Sequence, residues 1–338
     1  LTIIAAATAT PKHRYTQAQL LEMGGRDRLR ETFFLNSDIE FRHLYFPPGF
    51  DGTETVDEML ARARRGATEL GVQAIRSCLE RANVAGGEVR FLSTATCTVS
   101  LCPQLDAWFI RDVPLRPDTQ RAHIGDTGCA AAMVALQSAT NYLRANPGGW
   151  ALASAVEICS AALYRDGTAE AALGEAIFAD GAAAVCLANS GRGFEILGHR
   201  SLMRTEHMGL TGFEYPQGRR RLVLKKELPE IGAEVLEELT DGILASHGLR
   251  RSDIRFWILH SAGRKVLDIA GRRLGLSEEA LRPSRHIFRN FGNMSSATVL
   301  FVLEHVMSSG EPRPGDLALM AAMGAGFSAE GALLRWVE

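Results

Sequence analysis

Apolar and polar residues along this 338-residue chain follow two different periods. Short apolar runs read as strands of a buried sheet: Leu1-Thr2-Ile3-Ile4-Ala5-Ala6-Ala7, Val89-Arg90-Phe91-Leu92-Ser93-Thr94-Ala95 and Ile254-Arg255-Phe256-Trp257-Ile258-Leu259-His260. Amphipathic stretches with helical spacing separate them, and that alternation predicts an α/β protein.

The pattern also repeats. Val89–Ala95 has a counterpart in Ile254–His260, and Gly128-Cys129-Ala130-Ala131-Ala132-Met133 has one in Gly292-Asn293-Met294-Ser295-Ser296-Ala297. Pro147-Gly148-Gly149 and its following strand answer Pro314-Gly315-Asp316, and Ala179-Asp180-Gly181-Ala182 answers Ala329-Glu330-Gly331-Ala332. Four matches in one order point to a duplicated unit. The polar, turn-rich link Asn189-Ser190-Gly191-Arg192-Gly193 places the boundary, giving halves 1–190 and 191–338. Two such halves packed back to back bring Cys129 from the first and His260 and Asn293 from the second to one central cavity.

Charge excludes some functions. The net charge of −2 leaves no electrostatic footprint for DNA or RNA. Of 37 Lys and Arg residues only Lys12, Lys225, Lys226 and Lys265 are lysine, a bias that fits a GC-rich bacterial genome. The six cysteines (Cys78, Cys97, Cys102, Cys129, Cys159, Cys186) form no C-x-x-C pair and read as reduced thiols of a cytoplasmic protein. The N-terminal apolar run has no basic flank and stops at Pro11, so it reads as a core strand rather than a signal peptide. No apolar run approaches the roughly 18 residues that a membrane span needs.

Candidate chemistry sits at the ends of the buried elements. A thiol at a helix start meets the positive end of the helix dipole, and with an imidazolium nearby its pKa falls from about 8.5 to roughly 3.5–7.5. Cys129 would then attack a thioester as a thiolate. The bland alternatives are a small packing residue at Cys129, a satisfied core histidine at His260 and an N-cap at Asn293.

Several of these segments resemble known motifs. His260 with Ala262-Gly263, then Phe291-Gly292-Asn293-Met294-Ser295-Ser296-Ala297 beginning some thirty residues on, resemble the His and G-N-M-S-S-A motifs of chalcone synthase-like type III polyketide synthases. Ile177-Phe178-Ala179-Asp180-Gly181-Ala182 is similar to that family's F-G-D-G-A-A stretch, Val156-Glu157-Ile158-Cys159-Ser160 to its S-E-I strand, and Cys102-Pro103 to its M-P turn. The likeness spans nearly the whole chain. It implies a thiolase fold, with duplicated βαβαβ halves in five αβαβα layers, and a homodimer. It also implies Cys129 as nucleophile with His260 and Asn293 as partners, and CoA thioesters as substrates, with no cofactor and no metal.

Other residues take roles from the same resemblance. Phe178 corresponds to a gatekeeper between CoA tunnel and cavity, and Leu222 to the place of a second. Lys226 aligns with a residue that contacts CoA phosphates. Gly263 is a further CoA-binding candidate, and Arg26, Arg28, Arg30 and Arg42 are candidates for the N-terminal basic cluster. Cys97, Cys102 and Cys159 match cavity positions. A cysteine at 102 resembles naphthalene-forming bacterial members that prime with malonyl-CoA, and a cis Cys102–Pro103 bond would let it reach the partner subunit's cavity. Glu157 is either a proton relay or a structural buried carboxylate. Met323-Gly324-Ala325-Gly326 replaces the family's G-F-G-P-G loop, and with no βαβ unit after it this is no dinucleotide fingerprint. Glu157–Ala161 and the turn Arg165-Asp166-Gly167-Thr168 resemble the 3,5-dihydroxyphenylacetyl-CoA synthases most, which implies a resorcinol ring built by decarboxylative condensation of malonyl-CoA, with or without another acyl-CoA starter. The alternatives are a ketoacyl synthase III-like enzyme or acyltransferase acting once, a papain-like peptidase, and an idle scaffold.

Overall fold

Strands and helices alternate through residues 1–162, 166–216 and 220–338, which the computed structural model describes. In the first half the order is β1 (Thr2–Ala9), β2 (Arg14–Thr16), α1 (Gln17–Met23), α2 (Arg28–Leu35), β3 (Phe41–His43) and α3 (Val56–Ala82). Then come β4 (Val89–Thr96), α4 (Leu105–Asp112), β5 (Gln120–Gly125), α5 (Ala131–Ala145), β6 (Trp150–Ile158), α6 (Ala169–Ile177) and β7 (Asp180–Ala188). The second half runs β8 (Gly193–Met203), β9 (Thr211–Glu214), β10 (Arg221–Leu224), α7 (Leu228–Ser246) and β11 (Ile254–Leu259). It closes with α8 (Arg264–Leu274), α9 (Glu278–Phe291), α10 (Thr298–Ser308), β12 (Leu317–Gly324) and β13 (Ser328–Val337).

Nine strands join in the order β11-β12-β13-β8-β1-β7-β6-β4-β5. The order and sense of pairing recur on both sides of the centre: β6 lies parallel to β4 and antiparallel to β7, as β12 lies parallel to β11 and antiparallel to β13. Between β1 and β8 only two residue pairs meet, Thr2 with Glu195 and Ile3 with Phe194, so the half-sheets are joined by a narrow seam. The edge strand β5 has no counterpart among the described residues of the second half. There Ser284 on α9 covers the outer edge of β11, with its hydroxyl bonded to the Leu259 N–H and C=O.

Side-chain alternation produces the layers, because neighbouring strand residues face opposite ways. Ala151, Ala153 and Ala155 of β6 face one cluster, which also holds Phe256 and Ile258 of β11, Ala318 and Met320 of β12, and the apolar faces of α5 and α10. Leu152, Val156 and Ile158 face the other way, onto α3. Trp257 and Leu259 of β11 and Leu319 of β12 likewise turn outward to α7 and α8. The layers are therefore outer helices, half-sheet, a shared middle layer of α5 and α10, half-sheet, outer helices. The buried residues of α3 (Arg62, Ala63, Gly66, Ala67, Leu70, Gly71, Ala74, Ile75, Cys78, Leu79) recur every three or four positions, as one stripe against a sheet requires.

The expected helix starts differ in detail. Cys129 lies in a single tight turn, Gly128–Ala130, and α5 begins two residues later. Asn293 precedes another such turn, Ser295–Ala297, and α10 starts only at Thr298. Left-handed backbone at Gly128 (φ 70°) and Ser295 (φ 48°) forms each turn before regular helix can begin.

Candidate active site

The chain leaves β5 through Asp126, itself left-handed at φ 54°, and Gly128, where a Cβ would lie 3.0 Å from the Ala325 nitrogen. That close approach seats the Cys129 turn against the 325–327 loop. His260 follows β11 directly, its backbone N–H bonded to Ala321 O at 2.9 Å. Asn293 is held four ways: its N–H donates to Ile177 O and its C=O accepts from Ala179 N–H, each at 2.8 Å. Its Oδ1 accepts from Ser295 N–H at 2.8 Å, and its Nδ2 donates to Ala262 O at 3.2 Å. These contacts fix which end of the amide is which and leave one Nδ2 hydrogen for a ligand.

Cys129, His260 and Asn293 all line one cavity of about 970 Å³. Ser295 links them: its Oγ lies 3.4 Å from Cys129 Sγ and 3.0 Å from Cys97 Sγ, while its N–H bonds Asn293. Asn293 in turn bonds Ala262, two residues past His260. Both ring nitrogens of His260 are buried without a hydrogen-bond partner among the described residues. Orphaned buried nitrogens in a cavity wall are what a ligand-binding imidazole presents before its ligand arrives.

Burial weighs against the charged forms of the expected thiolate–imidazolium pair. Desolvation pushes the Cys129 thiol up to about 12, against the pull of the Ser295 hydroxyl. The same cause lowers His260 to about 4. Both shifts run toward a neutral thiol and a neutral imidazole, since desolvation penalises the charged form of each. Burial also raises Cys97 and Cys159 well above the ordinary thiol range.

Cys97, Cys159, Phe178, Leu222, Lys226 and Gly263 line the same cavity. Six candidates do not. Cys102 follows a solvent-facing path outside this cavity, with a cis bond to Pro103. Glu157 is fully buried behind the wall, accepting from the Cys97 and Thr98 N–H groups (3.1 Å each), Thr98 Oγ1 (2.6 Å) and Ser296 Oγ. Burial raises its pKa, opposed by those hydrogen bonds.

Arg42 is a correction too. It is 2% exposed and bonds only protein groups, so no CoA phosphate reaches it. Arg28 is exposed on α2, one turn before the cavity-lining Thr32, without lining the cavity itself. Arg26 pairs with Glu22 at 2.6 Å, and Arg30 with Glu175 at 2.8 Å inside the fold. Arg165 of the resorcinol-type turn lies outside the described residues.

Sequence reasoning passed over Ser295, Lys225, Arg264 and Lys265, all of which line the cavity. A signal for the lysines was available, since three of the chain's four lysines stand here. Ser295 carried none, because only its turn aims its hydroxyl at a sulfur.

Known proteins share this architecture. Residues 36–208 match the family model described as FAE1/Type III polyketide synthase-like protein, and residues 244–336 match the 3-Oxoacyl-[acyl-carrier-protein (ACP)] synthase III C-terminal model. The chain is 34% identical to a 3,5-dihydroxyphenylacetyl-CoA synthase of Streptomyces toyocaensis, over 99% of this chain and 90% of that protein. It is 32% identical to a 1,3,6,8-tetrahydroxynaphthalene synthase of Streptomyces peucetius subsp. caesius, over 99% and 93%. The crystal structure of the tetrahydroxynaphthalene synthase of Streptomyces coelicolor A3(2) superposes with a TM-score of 0.93 at 26% identity, covering 100% of both chains. With a thiolase-fold core and likeness along its whole length, the chain belongs to the type III polyketide synthases, acyltransferases that need no cofactor beyond their CoA thioester substrates.

Proposed function

We propose that the chain condenses malonyl-CoA units on a Cys129-bound acyl group and closes the product into a resorcinol-type ring, as 3,5-dihydroxyphenylacetyl-CoA or a related acid. The observation that carries this reading is the contact chain Cys129–Ser295–Asn293–Ala262 beside the unpartnered His260 ring in one cavity. The curated relatives at 32–34% identity include synthases named for two small aromatic products.

Loading begins when Cys129 passes its proton to neutral His260 and its sulfur attacks an acyl-CoA thioester. The C–S bond to CoA breaks, and His260 returns the proton to the CoA thiolate. Malonyl-CoA then binds with its thioester oxygen facing His260 Nε2–H and the free Asn293 Nδ2–H. Loss of CO2 leaves the electron pair as an enolate on that oxygen, where both donors strengthen as charge develops. The enolate carbon attacks the Cys129 thioester, and the sulfur leaves. Asn suits the second position because it donates without a negative charge of its own.

The division of labour is one half for the nucleophile, residues 1–190, and the other, 191–338, for the two donors. The basic rim of Lys225, Lys226, Arg264 and Lys265, with Gly263 beside it, fits the phosphates of CoA, and Arg28, exposed one turn before the cavity-lining Thr32, is a candidate to join them. Phe178 and Leu222 act as the gate. A homodimer would carry the exposed Cys102 to the partner subunit's cavity. Glu157, behind the wall, serves as structural anchor for the Cys97–Thr98 turn. Among the described residues no helix is long and apolar enough to cross a membrane, and a cytoplasmic enzyme fits that.

Pure protein incubated with malonyl-CoA alone and read by mass spectrometry tests the reading. A resorcinol-type product supports it and self-priming together. A product one C2 unit longer than an added acyl-CoA would instead favour a ketoacyl synthase III-like enzyme, the second reading, which the match over residues 244–336 keeps in view.

A further inference from the structure

Helix α6 ends in the cavity wall at Phe178, and a helix end leaves its last carbonyls without intrahelical partners. Here four consecutive carbonyls all find partners from distant segments. Arg42 Nη1 donates to Glu175 O at 2.5 Å and to Phe178 O at 2.8 Å. Gln17 Nε2 donates to Ala176 O at 2.7 Å, and the Asn293 N–H donates to Ile177 O at 2.8 Å. The two side chains also hold each other, Arg42 Nε donating to Gln17 Oε1 at 2.9 Å. Both are buried, and although desolvation lowers Arg42 to about 9 it keeps its charge at neutral pH. A cation at a helix C-terminus faces the negative end of the dipole.

The stem of Arg42 meets the site from the other side as well. Gly292 has φ 76°, and a Cβ there would lie 2.9 Å from Arg42 Cγ and 2.9 Å from Ile177 O. Directly beyond it, Phe178 and Asn293 pair as a two-residue parallel bridge. Arg42 therefore touches both sides of the joint between the cavity wall and the amide donor.

We propose that Arg42, oriented by Gln17, is a positioning residue for the reaction: it locks the Phe178 segment and the Asn293 amide in one register. The proposal rests on the reading of Asn293 as the enolate-stabilising donor. Arg42 itself touches no substrate. Its loss acts on the decarboxylation that Asn293 serves, since a misplacement of about 1 Å can cost on the order of 10²-fold. Cys129 is seated by the 325–327 loop, not by Arg42, and keeps its reactivity.

The test compares native protein, Arg42→Lys and Gln17→Met by three measurements: CO2 release from malonyl-CoA, alkylation of Cys129 by iodoacetamide, and a thermal melt. The expected result is a fall of about 10–100-fold in the kcat of CO2 release for Arg42→Lys, with KM and the alkylation rate as in the native protein. Gln17→Met falls in the same direction by less. Native kcat in both variants overturns the proposal, and so does a joint fall of both rates in step with the unfolded fraction. If native protein releases no CO2, the reading of Asn293 fails and this proposal fails with it, whereas native release left intact in Arg42→Lys defeats the proposal alone.

Discussion

The Ser295 hydroxyl lies 3.4 Å from the Cys129 sulfur, so the turns that follow β5 and α9 meet at that sulfur through one hydrogen bond. Ser295 holds a left-handed backbone, φ 48°, to make that contact. The hydroxyl lowers the thiol pKa while burial raises it to about 12. Replacing Ser295 with Ala removes the opposing influence. The alkylation profile of Cys129 should then move to higher pH, and an unchanged profile would count against the contact.

Asn293→Asp places a carboxylate where the proposed mechanism calls for a donor. Decarboxylation of malonyl-CoA should fall by about 10²–10³-fold, the usual cost of one lost donor at a developing oxyanion. Radiolabelled CO2 release measures it. Native release from this variant would remove Asn293 from the role.

Cys129→Ala should form no acyl-enzyme on incubation with an acyl-CoA, as mass spectrometry of the intact protein will show. CO2 release should persist, because His260 and Asn293 remain. Covalent labelling of the variant at another cysteine would move the nucleophile.

His260 carries a pH signature in stability. Desolvation lowers its folded pKa to about 4, below the unfolded value near 6.5. Above pH 6.5 both states are neutral and the group has no effect. As pH falls from about 6.5 towards 4 the unfolded state takes up a proton that the folded state refuses, and stability declines by roughly 3 kcal/mol at most. Below pH 4 this loss levels off. Urea unfolding at pH 7 and pH 4.5 should show a smaller acid loss in His260→Gln than in native protein, and equal losses would contradict the buried, unpartnered ring.

Gly292→Ala adds a Cβ 2.9 Å from both Arg42 Cγ and Ile177 O, at a φ of 76° that L-residues resist. Backbone on one side cannot yield. The variant should lose about 1–3 kcal/mol to strain alone, and more from the clash, read as a lower denaturant midpoint.

Local pattern was enough for much of this molecule. The strand at Ile254–Leu259 and the likeness between the two halves depend on residue types close together in the chain, and periodicity exposes them, whereas the helix start expected at Asn293 gives way to a turn. Residue type alone marked Cys129, His260 and Asn293 only weakly, since Asn is a common N-cap; the repeat and the resemblance to known motifs drew the three together. Burial is not a local property. Arg42 reads as a candidate phosphate contact until α6 and Gly292 close over it, Glu157 reads equally as relay or structural carboxylate until β6 turns it behind the wall, and the upward pull on the Cys129 thiol comes from the groups packed around it. The chain order determined which chemistry was available. The folded packing alone decided which of those groups face the cavity and which hold it in shape, since desolvation and contact depend on segments more than a hundred residues apart.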